Sequence, residues 1–244
     1  MGLYCRSVDR ITPGFEAAFN FLQEQDFDRD AAEVLWRTRH KKVVRMEIPE
    51  AYAVDGRSNF QVVWKHYGEK RFFRYLFRPS QALREWKGFE TAALCGIPVA
   101  RVLAAGEKRR GVRLVSSYFM TEMVCGSGDG DDFLPGGARE QDEALAAEFA
   151  EKNLKLLAKL HRSGAVHGGF TPRNELYVLT GSEERGQRLD VVWIDLATCR
   201  KVPFFKRKKL QKKDLNYFLS PWGFAPERRE ELYKIYLEEL KKNG

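Results

Sequence analysis

A chain of 244 residues with 43% hydrophobic content can bury most of its apolar surface as one large domain or two modest lobes, so it has no need of disulfide staples. Its four cysteines, Cys5, Cys95, Cys125 and Cys199, stand far apart without a Cys-x-x-Cys pair, which speaks against a disulfide framework or zinc site and for a reducing, cytoplasmic setting. The net charge of +8 points to anionic partners, while Arg6, Asp9, Arg10 and Glu16 interrupt any secretory signal and no stretch is long and apolar enough to span a bilayer.

Residues 1–30 form an N-terminal extension in which Ala17, Phe21 and Glu24 sit at helical spacing, predicting a short amphipathic helix. Three strands are predicted next, Ala32–Trp36, Lys42–Ile48 and Phe60–Tyr67, with the turn signal Asp55-Gly56-Arg57-Ser58-Asn59 before the third. Pro79-Ser80 caps a helix from Gln81 to Leu94, and Gly96 and Pro98 supply its stop signals. On that helix Glu85, Phe89 and Ala93 fall at i, i+4 and i+8, placing a carboxylate on an apolar stripe, where it needs a partner. Val99–Ala104 and Leu114–Val124 read as strands separated by a charged turn, Glu107–Gly111. Residues 31–124 thus make a first lobe built on an antiparallel meander.

Composition then shifts to Gly126-Ser127-Gly128-Asp129-Gly130-Asp131-Asp132 and Pro135-Gly136-Gly137, marking 125–140 as a hinge and acidic glycine-rich loop. Asp129, Asp131 and Glu140 match three positions of a calcium loop, but Phe133 and Leu134 occupy places of a ligand and the turn glycine, which excludes it. The second lobe, 141–244, opens with a helix from Gln141 to His161 ended by Gly164, continues with strands Leu176–Leu179 and Leu189–Ile194, and closes on a helix from Pro226 to Leu240. The basic run Lys206–Lys213, behind Phe204-Phe205, fits a solvated anion patch and a face for anionic headgroups equally well.

Several chemistry-bearing residues recur in a definite order. Lys65 ends an apolar strand, Glu85 lies on the next helix, Glu122-Met123-Val124 joins the lobes, and His167-Gly168-Gly169-Phe170-Thr171-Pro172-Arg173-Asn174 precedes Trp193-Ile194-Asp195-Leu196. This is the order of parts in protein-kinase-like folds, an α+β class with a small antiparallel-sheet N-lobe and a mainly helical C-lobe. In that pattern Lys65 holds the α- and β-phosphates of ATP and Glu85 orients Lys65 through an ion pair, with Glu90 the rival partner if the helix is rotated. The backbone of Glu122, Met123 and Val124 meets adenine. Asn174 and Asp195 hold magnesium, which favours hard oxygen ligands, and His167 braces the loop. Gly169 stands where the pattern has the catalytic Asp.

These residues resemble the bacterial lipopolysaccharide core kinases, through Arg37-Thr38-Arg39-His40-Lys41-Lys42, Asp55-Gly56-Arg57-Ser58-Asn59-Phe60, Lys65-His66-Tyr67 and Arg84-Glu85-Trp86. The likeness continues through Gly96-Ile97-Pro98-Val99, Thr121-Glu122-Met123, the loop from His167 to Asn174, and Trp193-Ile194-Asp195-Leu196 with Arg200. The resemblance implies ATP and magnesium as cofactors, and an acceptor hydroxyl of Kdo or heptose on a lipid-linked saccharide. It also implies work at the cytoplasmic face of the inner membrane, whose anionic surface becomes a candidate partner. Two departures accompany it: basic residues from Arg37 to Lys42 replace a glycine-rich nucleotide loop, as the resemblance itself implies, and Gly169 replaces the Asp that accepts the hydroxyl proton. A general base contributes about 10²–10⁴-fold, so the chain is expected to be a slow kinase or, alternatively, a pseudokinase that binds nucleotide or glycolipid and regulates envelope assembly. Nucleic-acid binding has only charge behind it and is disfavoured.

Overall fold

The computed structural model describes residues 5–24, 33–52, 60–68, 75, 78–181 and 187–242; the turn signal at 55–59 lies outside them. The chain divides into two units, Met1–Trp86 with Ala100–Met123 and Lys87–Val99 with Val124–Gly244.

Period-two alternation builds the first unit. Strands β1 (Cys5–Ile11), β2 (Glu33–Thr38), β3 (Lys41–Ile48), β4 (Phe60–Gly68), β5 (Val102–Arg110) and β6 (Arg113–Glu122) form an antiparallel sheet ordered β1-β5-β6-β4-β3-β2. Alternate residues share a face, so Val44, Met46 and Ile48 of β3 and Phe60, Val62 and Trp64 of β4 join one core cluster. Helix α1 (Glu16–Glu24) lays Phe19 and Leu22 into the same cluster, next to Phe15. Lys65 and Tyr67 project from the opposite face of β4, away from that cluster, and are themselves buried.

Two segments depart from the sequence reading. Cys5–Ile11, inside the expected extension, pairs antiparallel with β5 along its whole length. Its polar sequence lacks a local strand signal, and the pairing comes from the tertiary partner. The charged residues Glu107–Arg110, expected as a turn, belong to β5. Arg109 pairs with Glu107 and donates to the carbonyls of Tyr75, Arg78 and Val112, while Glu107 accepts from the Ser80 N–H. This network satisfies the charges within a strand, and the reversal shrinks to Gly111-Val112, with Gly111 at φ +60°.

Helix α2 (Gln81–Leu94) has its predicted bounds. Ser80 Oγ accepts from Leu83 N at 3.3 Å as its cap, and Gly96 ends it at φ +66°. In the second unit, Gly88 of α2 abuts the Leu196 carbonyl, since a Cβ there would sit 1.8 Å from that oxygen. Helix α3 (Glu143–Arg162) is capped by Asp142, which accepts from Leu145 N, and buries Phe149, Asn153, Leu157 and His161. Strands β7 (Ser127–Asp129), β9 (Glu175–Thr180) and β10 (Arg188–Trp193) form one small sheet; β8 (Ala165–Val166) and β11 (Arg200–Lys201) form another. Helices α4 (Phe204–Leu219) and α5 (Pro226–Lys241) complete the unit. The basic run is therefore helical, anchored by Asp214, Leu215 and Phe218. Among the described residues no helix is long and apolar enough to cross a membrane.

Candidate nucleotide and magnesium site

In the first unit, β4 presents Lys65 and α2 presents Glu85, and their Nζ and Oε1 lie 2.6 Å apart. Glu85 is fully buried and Lys65 is 8% exposed, so each charge depends on the other for the solvation it has lost. The second oxygen of Glu85 accepts from the Tyr67 hydroxyl, which satisfies the carboxylate on both sides. Lys65 Nζ also lies 5.8 Å from the centre of the Phe119 ring. Glu90, the rival partner, is exposed. Tyr67 escaped the sequence reading, although its place two residues after Lys65 on a strand already put both on one face.

The β2–β3 turn is tight: Thr38 Oγ1 accepts from Lys41 N at 3.0 Å, and Arg37 and Arg39 are exposed around it. At the connecting segment, Glu122 N donates to Arg101 O and Met123 N to Gln61 O, both at 2.9 Å. Those two donors are committed to protein carbonyls, whereas a backbone carbonyl accepts two hydrogen bonds. A base meeting this backbone at Glu122 and Met123 therefore does so as a donor to carbonyl oxygen.

In the second unit, the loop after β8 is fixed by its backbone. Asp214 of α4, 1% exposed, accepts from His167 N and Gly168 N, each at 2.8 Å. His161 Nε2 lies 3.3 Å from the same carboxylate, and its Nδ1 is 2.8 Å from the Tyr236 hydroxyl of α5. Thr198 Oγ1 donates to His167 O, and Asn174 Nδ2 donates to Gly169 O at 2.9 Å. No pattern in the sequence marked Asp214, a lone acid closing a basic run, because the loop groups it holds are backbone N–H groups 46 and 47 residues away.

The β9–β10 ladder brings the backbone of Asn174 to that of Ile194, the residue before Asp195. Glu175 pairs with Trp193, and Ile194 N donates to Asn174 O at 2.8 Å, so Asn174 faces the residue directly before Asp195. Asp195 takes φ 54°, the left-handed region that Asp tolerates better than most side chains. With its amide nitrogen turned to Gly169 O, Asn174 directs its amide oxygen away from that bond. An amide oxygen plus a half-buried carboxylate fits magnesium, which is held by one or two protein oxygens and completes its shell with water and phosphate. Among the described residues no group of three His, Cys, Asp or Glu offers an alternative metal site. Within the acidic loop, Asp129 accepts from Asp131 N, Asp131 pairs with Arg173 at 3.0 Å, and Glu140 accepts from Gly136 N.

His167 is fully buried, with its ring 5.3 Å from Phe170 and 5.5 Å from Trp193. Burial lowers its pKa to about 4, so the ring is neutral at pH 7. Its Nε2 lies 3.9 Å from Glu175 Oε1, beyond hydrogen-bonding distance. Burial, followed by Asp129, Asp131 and Asp214, raises the Glu175 pKa well above the ordinary range. Glu175 is fully buried, its charged form is disfavoured there, and it is unsuited to act as the missing base. Gly169 has an ordinary φ, and a Cβ there would meet only Thr198 Oγ1, at 3.6 Å. Neither backbone nor packing demands glycine at this position, in contrast to Gly168 at φ +81°.

The sequence model described as the lipopolysaccharide kinase (Kdo/WaaP) family matches residues 29–236. Curated protein sequences give no match. Among solved structures, WaaP in complex with acyl carrier protein aligns with TM-score 0.65 at 18% identity over 96% of this chain and 89% of that one. The Rio2 kinase–ADP/Mg2+–phosphoaspartate complex from Chaetomium thermophilum aligns with TM-score 0.47 at 14% identity, covering 93% of this chain and 76% of that one.

Proposed function

The chain belongs to the lipopolysaccharide kinase (Kdo/WaaP) family, and from that premise we propose that it transfers the γ-phosphate of ATP to a Kdo or heptose hydroxyl of lipopolysaccharide inner core or a related envelope glycolipid. The observation that carries this reading is the buried Lys65–Glu85 pair, locked from its other side by Tyr67. A desolvated ammonium with a fixed carboxylate partner is suited to α- and β-phosphate oxygens, because its position is set before the nucleotide arrives. The carbonyls of Glu122 and Met123, with the backbone of Val124, receive the adenine amino group. Asn174 and Asp195 would hold magnesium, which supplies charge neutralisation between the phosphates. His167 is a positioning residue: neutral and walled in by Phe170 and Trp193, it gives the loop a packed base while Asp214 holds its backbone.

Gly169 offers no carboxylate to the acceptor hydroxyl, so its proton leaves to solvent or to the transferring phosphoryl group. Losing a base costs about 10²–10⁴-fold, while positioning and electrostatics supply most of the acceleration in phosphoryl transfer. The reading is therefore a slow kinase. Its acceptor is lipid-linked, which sets the protein to work at the cytoplasmic face of an anionic inner membrane. The test is magnesium-dependent transfer of labelled phosphate from ATP to Kdo-lipid A and core-oligosaccharide acceptors, abolished by Asp195→Ala. Gly169 also favours a second reading, a pseudokinase, in which ATP raises the melting temperature without any transfer. Transfer by the unmodified chain that vanishes with Asn174→Ala rules that second reading out.

A further inference from the structure

Charge in this protein is concentrated in one place. Residues 200–213 contain eight Lys or Arg and no acid, while the rest of the chain is balanced at 34 of each sign. Ten of those fourteen residues form the first part of α4. Only Asp214, Leu215 and Phe218 of this helix are buried. On its outer side Phe205, Lys208, Lys209, Lys212 and Asn216 recur at helical spacing and are all exposed. At its start, Phe204 and Phe205 are each 79% exposed, and Tyr217, 45% exposed, marks the far end. Cations hold the aromatic rings: Arg207 lies over Phe204 at 5.8 Å, Lys206 over Phe205 at 5.5 Å and Lys213 over Tyr217 at 5.1 Å.

A solvated anion patch has no use for two exposed phenylalanines, which carry no polar handle and lose free energy in water. An anionic bilayer uses both features, since flexible lysines meet headgroup phosphates while apolar rings enter the acyl boundary. We propose that the outer face of α4 docks on an anionic lipid surface, with Phe204 and Phe205 as the inserted wedge and Lys208, Lys209 and Lys212 as the headgroup contacts. This deepens the proposed function by naming the surface that meets the membrane, and it rests on that reading only for its lipid-linked setting. The test below contains neither ATP nor acceptor, so failure of adhesion leaves phosphotransfer standing and failure of phosphotransfer leaves adhesion standing.

The experiment is flotation of the full chain with vesicles of phosphatidylcholine alone and of phosphatidylcholine with phosphatidylglycerol. The chain should float only with the anionic vesicles, and less so as salt rises. The double variant F204S/F205S should lower the partition coefficient about tenfold, and K208Q/K209Q/K212Q about a hundredfold. K155Q/K234Q/K241Q, which removes the same charge from α3 and α5, should keep it within about twofold. All of these side chains are exposed, so melting temperatures should match the unmodified chain. No flotation, undiminished flotation of the α4 variants, or an equal loss in the α3 and α5 control would overturn the assignment. So would retention of nucleic acid or an acidic soluble protein by the basic run without vesicle binding.

Discussion

Two buried polar groupings in this protein are treated in opposite ways. Around Lys65, both oxygens of Glu85 have a donor, and the pair can stay charged in a place without water. Around His167, neither ring nitrogen has a hydrogen-bond partner, and neither does either oxygen of Glu175, so burial disfavours the charged form of both. The difference teaches what the chain keeps. Charge is kept at the Lys65–Glu85 pair, where phosphate is proposed to bind, and is disfavoured at the buried His167 and Glu175. The second grouping is held through backbone, by Asp214, and needs no charged side chain of its own to keep its shape.

Breaking the charged grouping should have the largest effect on stability. Glu85→Ala leaves the Lys65 ammonium buried alone and should cost about 3–5 kcal/mol in urea denaturation; a cost below about 1 kcal/mol would mean the pair is solvated after all. Next comes the backbone anchor. Asp214→Ala strips the acceptor from the buried His167 N–H and the half-buried Gly168 N–H and should cost about 2–3 kcal/mol, with amide exchange at His167 and Gly168 accelerating before the rest of the chain. Tyr67→Phe is milder, at about 1 kcal/mol, and should raise KM for ATP roughly fivefold with kcat little changed; an unchanged KM would remove Tyr67 from the nucleotide half.

The smallest effect tests the neutral grouping. The folded His167 pKa, about 4, lies below its ordinary 6.5, so its contribution to stability is lost as pH falls from 6.5 towards 4. Glu175 is shifted the other way, upward from 4.5, so its contribution is present below 4.5 and lost as pH rises. The two slopes oppose each other above 4.5, the His167 rise being complete by 6.5 and the Glu175 decline running up to its raised pKa. Glu175→Gln should remove that decline, leaving a melting temperature that climbs towards pH 6.5 and then holds level. An unaltered pH profile would show that Glu175 is ionised in the folded chain.

Much of this arrangement could be read from the sequence wherever the signal was local. Ser80 and Gly96 bounded α2, and the apolar stripe carrying Glu85 pointed to a partner, which is Lys65. The order from His167 to Asp195 announced the loop and strand pair that place Asn174 against Ile194. Features made by distant partners were hidden. β1 is polar and exists by pairing with β5, and Glu107 to Arg110 read as a turn until Arg109 found the carbonyls of Tyr75 and Arg78. The basic run of α4 fitted a solvated anion patch and a headgroup face equally well in the sequence, because its few buried positions are outnumbered by lysines. Asp214 had no signal of its own, since what it holds is backbone.

The central proposal is that the chain carries out ATP- and magnesium-dependent phosphate transfer without a carboxylate at residue 169. Phosphate transfer from ATP to Kdo-lipid A, measured for the unmodified chain and Gly169→Asp side by side, tests it most directly. A Cβ at residue 169 meets only ordinary contact, so the substitution should fold as the parent does. The account predicts slow, magnesium-dependent transfer by the unmodified chain and an increase of about 10²–10⁴-fold with aspartate restored. Bound ATP and acceptor with no transfer by either protein would contradict it.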